Sequence, residues 1–487
     1  MHKSLSTGVA TLLKRPAARR LAWIITGIVL ATGVVGGVGR AQRDEPDWRA
    51  FRNETQYAWD HRAIRPGTKM FGYLPATVVA LWPFTVWCPQ PAGAMAFVTF
   101  NVLLTLASIA LLRRWQHGGR RPTVAAAGFV WPIFLTVSHL QHVLQANQLT
   151  IWVLCLWLAG GSLVFRRRSG WGGFLLGAAG CIKLTPFLFA LYFAWRRDWR
   201  GIGGMIVAVM LLDVAPSVLS FGWDGALREH RMWRQRVAWY ANQHFIEDPY
   251  LRVRRHGANA SYGAVLTRWL RGPPDADWQV ELNGSPPPEV VQRIRSELGP
   301  REHLTLDPMP PPDAEWNVTR FNLAHLPRRH LTDLSPRAVW WIWASSLALM
   351  MTALCAATYC AGGSSQPARA QAAEASLWLL ATFFLSPMMR DYYLALAIPA
   401  YVVVWAAVAH SRSGGGGGTH RLGRGAACVA LFVFFLGVPG LAWRTGAWYG
   451  FHLATVTVLA MATAWAWRTS LSTTGAADQS AATTLSD

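Results

Sequence analysis

Lys183 stands inside an otherwise apolar stretch, Gly177-Ala178-Ala179-Gly180-Cys181-Ile182-Lys183-Leu184-Thr185-Pro186. An ammonium at mid-bilayer costs about 2.5–3.5 kcal/mol on insertion scales, so such a residue is a functional candidate by default. Snorkelling of its stem toward the surface is the competing account. As a ligand group, its natural partner is an anion such as a phosphate, for which lysine acts as a point charge. A second group is His139, His142, Gln145, Asn147 and Gln148, within residues 139–148. On a helix, His139, His142 and Gln145 share one face. Two such histidines could ligate a metal, but no acidic third ligand lies near, and a polar rim for hydroxyl groups, or interfacial solvation, accounts for them better. The segment Ser386-Pro387-Met388-Met389-Arg390-Asp391-Tyr392-Tyr393 sets opposite charges side by side, equally suited to an ion pair or a ligand contact. Asn259, Ser261 and Arg268 form a further polar group, and the stretch 43–51 carries the acids Asp44, Glu45 and Asp47, which solvation alone would explain. The matches to the N-glycosylation pattern at Asn53, Asn259, Asn283 and Asn317 are taken as chance. There is no Gly-rich phosphate loop before a strand, no HExxH, no paired CxxC and no Ser/His/Asp arrangement, so nucleotide-dependent cytosolic chemistry has no support.

These residues must be held by membrane segments. Of 487 residues, 52% are apolar or aromatic and 15% are charged, against about 25% charged in soluble domains. Twenty-seven tryptophans suit the membrane–water interface. The net charge of +21 suggests nucleic acid at first sight. The basic residues, however, cluster in short loops between apolar runs, as in a polytopic membrane protein facing anionic lipid. The six cysteines show no framework spacing.

Residues 1–20 are basic, and the run 21–39 is long enough to span about 30 Å of hydrocarbon; it is expected to be a retained helix with a cytoplasmic N-terminus rather than a cleaved signal. Further apolar runs follow to residue 467. Placing the clusters Arg113/Arg114/Arg120/Arg121, Arg166–Arg168, Arg196/Arg197/Arg200 and Arg412/Arg421/Arg424 in the cytoplasm forces two irregular segments. Run 71–88, interrupted by Pro75 and Pro83, must dip in or lie along the interface. Run 171–195 must enter and return within about 25 residues, too few for two spans, so two half-helices are expected to meet near Lys183 and Pro186, as is tolerated only where protein or water lines the break. The expected organisation is a cytoplasmic N-terminus (1–20), a membrane module (21–221) with its external loop at 40–70, a large external segment (222–337), C-terminal membrane helices (338–467) and a disordered cytoplasmic tail (468–487). The segment 222–337 holds 14 of the 25 acidic residues and is expected to carry little regular structure.

In this order the motifs resemble the GT-C class of membrane glycosyltransferases, and within it glycosyltransferase family 87, the polyprenyl-phosphate-mannose-dependent mannosyltransferase group. The resemblance is carried by the acid-bearing first loop, Tyr73-Leu74-Pro75, Gln145-Ala146-Asn147-Gln148, Gly177–Pro186, Asn259-Ala260-Ser261 with Arg268, and Ser386 to Tyr393. It departs from the family pattern at Gln145, Ala260, Arg390 and Tyr392. The resemblance implies an all-α polytopic fold of about 11–13 transmembrane helices, some broken or re-entrant, in a bacterial inner membrane. It implies transfer of mannose or a similar sugar from a polyprenyl-phosphate donor to a glycan or glycolipid hydroxyl outside the cytoplasm, with inversion. Asp47 would be the base, with Asp44 and Glu45 as rivals. Lys183, followed by Arg390 and Arg268, would meet the phosphate. His139, His142, Asn147, Gln148, Asn259, Ser261, Asp391, Tyr392 and Tyr393 would supply further contacts. No metal, no cofactor and no nucleic acid is expected. A lipid or glycan transporter or flippase shares broken helices and a buried lysine, but no second copy of the Lys183 segment is present; a non-catalytic subunit of an envelope complex is the third reading.

Overall fold

The computed structural model describes residues 15–43, 46–64, 73–116, 129–246, 262–271, 278–283, 286–300, 302–306, 316–322, 331–360, 368–385, 391–410, 427–431 and 451–484. The membrane part is a bundle of α-helices. In chain order these are α1 (Pro16–Gln42), α2 (Pro46–His61), α3 (Pro75–Thr85), α4 (Ala92–Gln116), α5 (Val130–Gln145), α6 (Thr150–Phe165) and α7 (Ser169–Ile182). A 3₁₀ turn at Thr185–Phe187 leads to α8 (Leu188–Trp195) and α9 (Trp199–Val209). A π-turn, Met210–Val214, joins α9 to α10 (Ala215–Ile246). After α11 (Tyr262–Leu270) come β1 (Trp278–Asn283), α12 (Pro288–Glu297), β2 (Glu302–Leu306) and β3 (Asn317–Asn322). The bundle closes with α13 (Pro336–Cys360), α14 (Ala368–Leu385), a 3₁₀ segment Asp391–Ala397, α15 (Ile398–His410) and α16 (Phe451–Thr484). Among the described residues four helical stretches are long and apolar enough to cross a membrane: Pro16–Gln42, Ala92–Trp115, Trp199–Gln235 and Pro336–Thr358. Shorter apolar helices lie between them.

The three basic clusters described share one end of the bundle. Trp115, beside Arg113 and Arg114, packs with its ring 4.8 Å from that of Phe165 at the foot of α6. Ser169, just after Arg166–Arg168, donates to Asp198 Oδ1 at 2.9 Å, which joins the second cluster to the third. Asp198 also caps α9 by accepting from the Gly201 amide at 3.1 Å. At the same end Arg196 pairs with the buried Glu374 of α14, which ties the first half of the bundle to the second.

The expected half-helices are present. Helix α7 stops at Ile182 because Lys183 turns to extended backbone, φ −140° and ψ 131°, and Pro186, without an N–H, cannot continue an α-helix. The chain then returns through α8 to the basic end. Helix α3, 11 residues beginning at Pro75, is about 16 Å long, too short to span, and it packs on α2 and α10 at the other end.

Helices α7 and α9 run side by side through small residues. A methyl on Gly173 would run into the Gly201 carbonyl, whereas one on Gly203 would meet nothing within 4 Å. Gly173→Ala is therefore expected to cost about 1–3 kcal/mol through overpacking, and Gly203→Ala to be neutral or mildly stabilising. Paired thermal melts in one detergent check this.

Two expectations need correction. The segment 222–337 has regular structure. Helix α10 extends into it to Ile246, and β1 lies between β2 and β3, parallel to β2 and antiparallel to β3, with Val280 paired to Leu304 and Arg320. Helix α12 forms the crossover that a parallel pair requires. The stretch 468–484, expected as a disordered tail, is a continuation of α16.

Candidate functional site

The end of the bundle opposite the basic clusters brings three sequence-predicted groups together. Lys183 is 9% exposed. Its Nζ donates to Thr150 Oγ1 at 2.7 Å and lies 3.9 Å from the centre of the Tyr393 ring, within reach for a cation–π interaction. Thr150 begins α6, so Asn147 and Gln148, buried in the tight turn before it, lie at the same level. Asn147 adopts a left-handed φ of 51°, which asparagine tolerates better than most residues. Its Nδ2 donates to the Gly37 carbonyl of α1 at 2.9 Å. The turn is thereby fixed to the helix that leads to α2.

The Trp152 indole, on the first turn of α6, donates to Asn101 Oδ1 at 2.7 Å. Asn101 is nine residues beyond Ala92, the start of α4. At 1.5 Å per residue this contact is made about 13 Å along α4 from its start.

Asp47 is the second residue of α2. Its neighbour Trp48 is fully buried and packs 5.2 Å from Phe97, which in turn lies 6.1 Å from Trp152. Two aromatic contacts thus connect the start of α2 to the helix that begins at Thr150. Helix α3 reaches the same level from another side, since Thr77 Oγ1 donates to the Cys181 carbonyl at 3.0 Å. Asp47 and Lys183, 136 positions apart in the sequence, lie at one end of the bundle. Residues 71–281 match the profile of glycosyltransferase family 87.

Over that region the chain is similar to glycosyltransferase family 87. That region includes α3 to α9, and hence Lys183, Thr150, Asn147 and Gln148. Over 142 residues the chain is 30% identical to a polyprenol-phosphate-mannose-dependent alpha-(1-2)-phosphatidylinositol mannoside mannosyltransferase of Mycobacterium tuberculosis, covering 27% of this chain and 32% of the relative. It is 32% identical over 140 residues to the Mycolicibacterium smegmatis protein of the same description, covering 26% and 31%. The chain spans about a third of the length of these curated relatives. No solved structure shows significant similarity to it.

The other predicted residues divide. His142 is half-buried on α5, whereas His139 is fully buried. It is therefore not on a solvent-facing rim: it lies almost two turns back from the end of α5, on the side that packs within the bundle. Arg268 is buried on α11, and α11 packs on α13, α10 and α14. Asp391 and Tyr392 belong to the 3₁₀ segment that presents Tyr393. The side chains of Asp47, Asp391 and Tyr392, and all of Asp44, Glu45, Asn259, Ser261 and Arg390, lie outside the described residues.

Sequence reasoning missed Thr150, which looks like any helix-starting threonine. It also missed Asp213, for which the signal was available: like Lys183, it is a charge inside an apolar run.

Proposed function

We propose that this family 87 region makes the protein a membrane glycosyltransferase of a bacterial inner membrane, acting on the face opposite its basic loops. The donor would be a polyprenyl-phosphate sugar, mannose or a close analogue, and the acceptor a hydroxyl of a glycan or glycolipid. The observation that carries this reading is Lys183, a buried ammonium within the matched region, held by Thr150 and Tyr393. The names of the two mycobacterial relatives support the donor class.

In the reaction, the acceptor oxygen attacks the anomeric carbon from the face opposite the phosphate. The carbon–oxygen bond to the phosphate breaks, and the electron pair stays on the phosphate oxygen. Asp47 takes the acceptor proton. The leaving phosphate already carries charge and needs no proton, so one carboxylate suffices where a glycosidase normally uses two. Lys183 offsets the charge that grows on the phosphate, and such compensation counts for more where water is scarce. The bilayer holds the lipid tail and restricts the donor to productive approaches, an orientation effect.

The test is incubation of the purified full chain, in lipid nanodiscs, with a panel of polyprenyl-phosphate sugars and a phosphatidylinositol mannoside acceptor, followed by mass spectrometry of the lipids. A mannosylated product formed only with a lipid-phosphate donor is expected. Absence of product with every donor overturns the reading.

A further inference from the structure

Asp213, 2% exposed, sits in the π-turn between α9 and α10. Its Oδ1 accepts from the Ala76 amide at the start of α3, at 3.3 Å, so it serves the positive end of that helix. Its Oδ2 lies 2.9 Å from His230 Nε2. The other ring nitrogen, Nδ1, lies 2.8 Å from the Ala226 carbonyl. Both ring nitrogens therefore face acceptors, an arrangement that only an imidazolium satisfies in full. Glu229, next in sequence and also 2% exposed, accepts from Arg228 at 3.3 Å. Arg62 adds a contact of 3.5 Å to the Ser220 carbonyl.

These contacts exist because α10 bends. Gly222 has φ 71° and ψ 172°, a conformation open essentially to glycine alone. The bend returns residues 226–230 over the π-turn, so that a histidine 17 positions downstream meets Asp213. The junction then holds both flanks of one segment: Arg62, just past α2, through the Ser220 carbonyl ahead of the bend, and Ala76, on the first turn of α3, through Asp213. Helix α2 bears Asp47, and Thr77 of α3 is bonded two residues from Lys183. An apolar packing of the same volume would often be at least as stable as buried charges, so stability alone does not account for this cluster.

We propose that Asp213, Glu229 and His230 are positioning residues, a charged latch that holds α2 and α3 against the Lys183 turn and so sets where Asp47 stands. The catalytic consequence rests on the sugar-transfer reading; the latch itself does not. The test compares Asp213→Asn, Glu229→Gln and the milder His230→Gln with the full chain in nanodiscs, using amide hydrogen exchange and steady-state kinetics with polyprenyl-phosphate mannose. Exchange across 46–64 and 73–77 is expected to rise about tenfold while α6 and α14 stay protected. The kcat is expected to fall about 10²-fold, with the donor KM changed less than about threefold, and Asp213→Glu is expected to restore part of both. Unchanged exchange across α2, or raised exchange with unchanged kcat, overturns the proposal. Loss of protection throughout the bundle in all three variants does so as well, because the residues would then be structural only. If the wild-type chain transfers no sugar, the functional reading fails while the exchange data still decide the latch.

Discussion

Asp47→Asn is expected to slow sugar transfer by orders of magnitude while donor binding and the melting temperature stay at wild-type values. Asparagine keeps the size and the hydrogen-bonding reach of the side chain but cannot take a proton. General-base assistance is worth about 10²–10⁴-fold, and that range is the expected loss in kcat. Fold and membrane insertion should not be affected, because α2 is anchored by other residues. Trp48 packs on Phe97, Phe51 on Tyr73, and Thr55 hydrogen-bonds Thr85 of α3 at 2.8 Å. The measurement is turnover in nanodiscs, with donor binding followed separately by lipid-analogue titration. A variant that turns over normally would remove Asp47 from the reaction and return attention to Asp44 and Glu45. A variant that binds no donor would place Asp47 in binding rather than proton transfer. Asp44→Asn and Glu45→Gln serve as controls expected to retain activity.

Much of this arrangement could be read from the sequence, because membranes convert composition into geometry. The arginine clusters assigned one end of each helix, and counting residues between them forced a break near Lys183. The break is found at Ile182 to Leu188. In the same way the sidedness of its flanks kept run 71–88, interrupted by Pro75 and Pro83, from being a simple span, and within it α3 is an 11-residue helix. What stayed hidden depends on contacts between distant residues. Nothing local marks Thr150 as the partner of Lys183, because hydrogen-bond pairing across 33 positions leaves no periodic trace. The π-turn at Asp213 and the bend at Gly222 also have no helical-period signature, so the pairing with His230 emerges only from coordinates. The small sheet escaped for a related reason. Its three strands have five or six residues each, and β1 pairs with a parallel strand beyond α12 rather than with a hairpin neighbour. His139 shows the opposite failure: helical spacing set it on one face with His142 and Gln145, yet packing buries His139 while those two stay partly exposed.

Lys183→Met is expected to weaken donor binding far more than it slows the bound complex. A hydrogen bond to a charged group contributes about 1.5–3 kcal/mol net, or roughly 10–150-fold in affinity, and the donor KM should rise within that range. Methionine matches the length and apolar stem of lysine, so the site keeps its packing. The melting temperature should hold or rise slightly, since a buried ammonium no longer has to be accommodated. Thr150→Val tests the same geometry more gently. It leaves the charge in place but removes the oxygen that accepts from Nζ at 2.7 Å, so the ammonium loses its direction rather than its presence. A rise in donor KM of a fewfold is expected there, smaller than for Lys183→Met. Arginine at position 183 is not expected to restore wild-type binding, because a planar fork is larger than the point charge that the Thr150 and Tyr393 contacts enclose. If donor dependence is unchanged in Lys183→Met, the lysine serves only to reach the interface, and phosphate recognition would have to be sought at Arg268 or Arg390. If KM rises in Lys183→Met but not in Thr150→Val, the charge matters and its orientation by Thr150 does not.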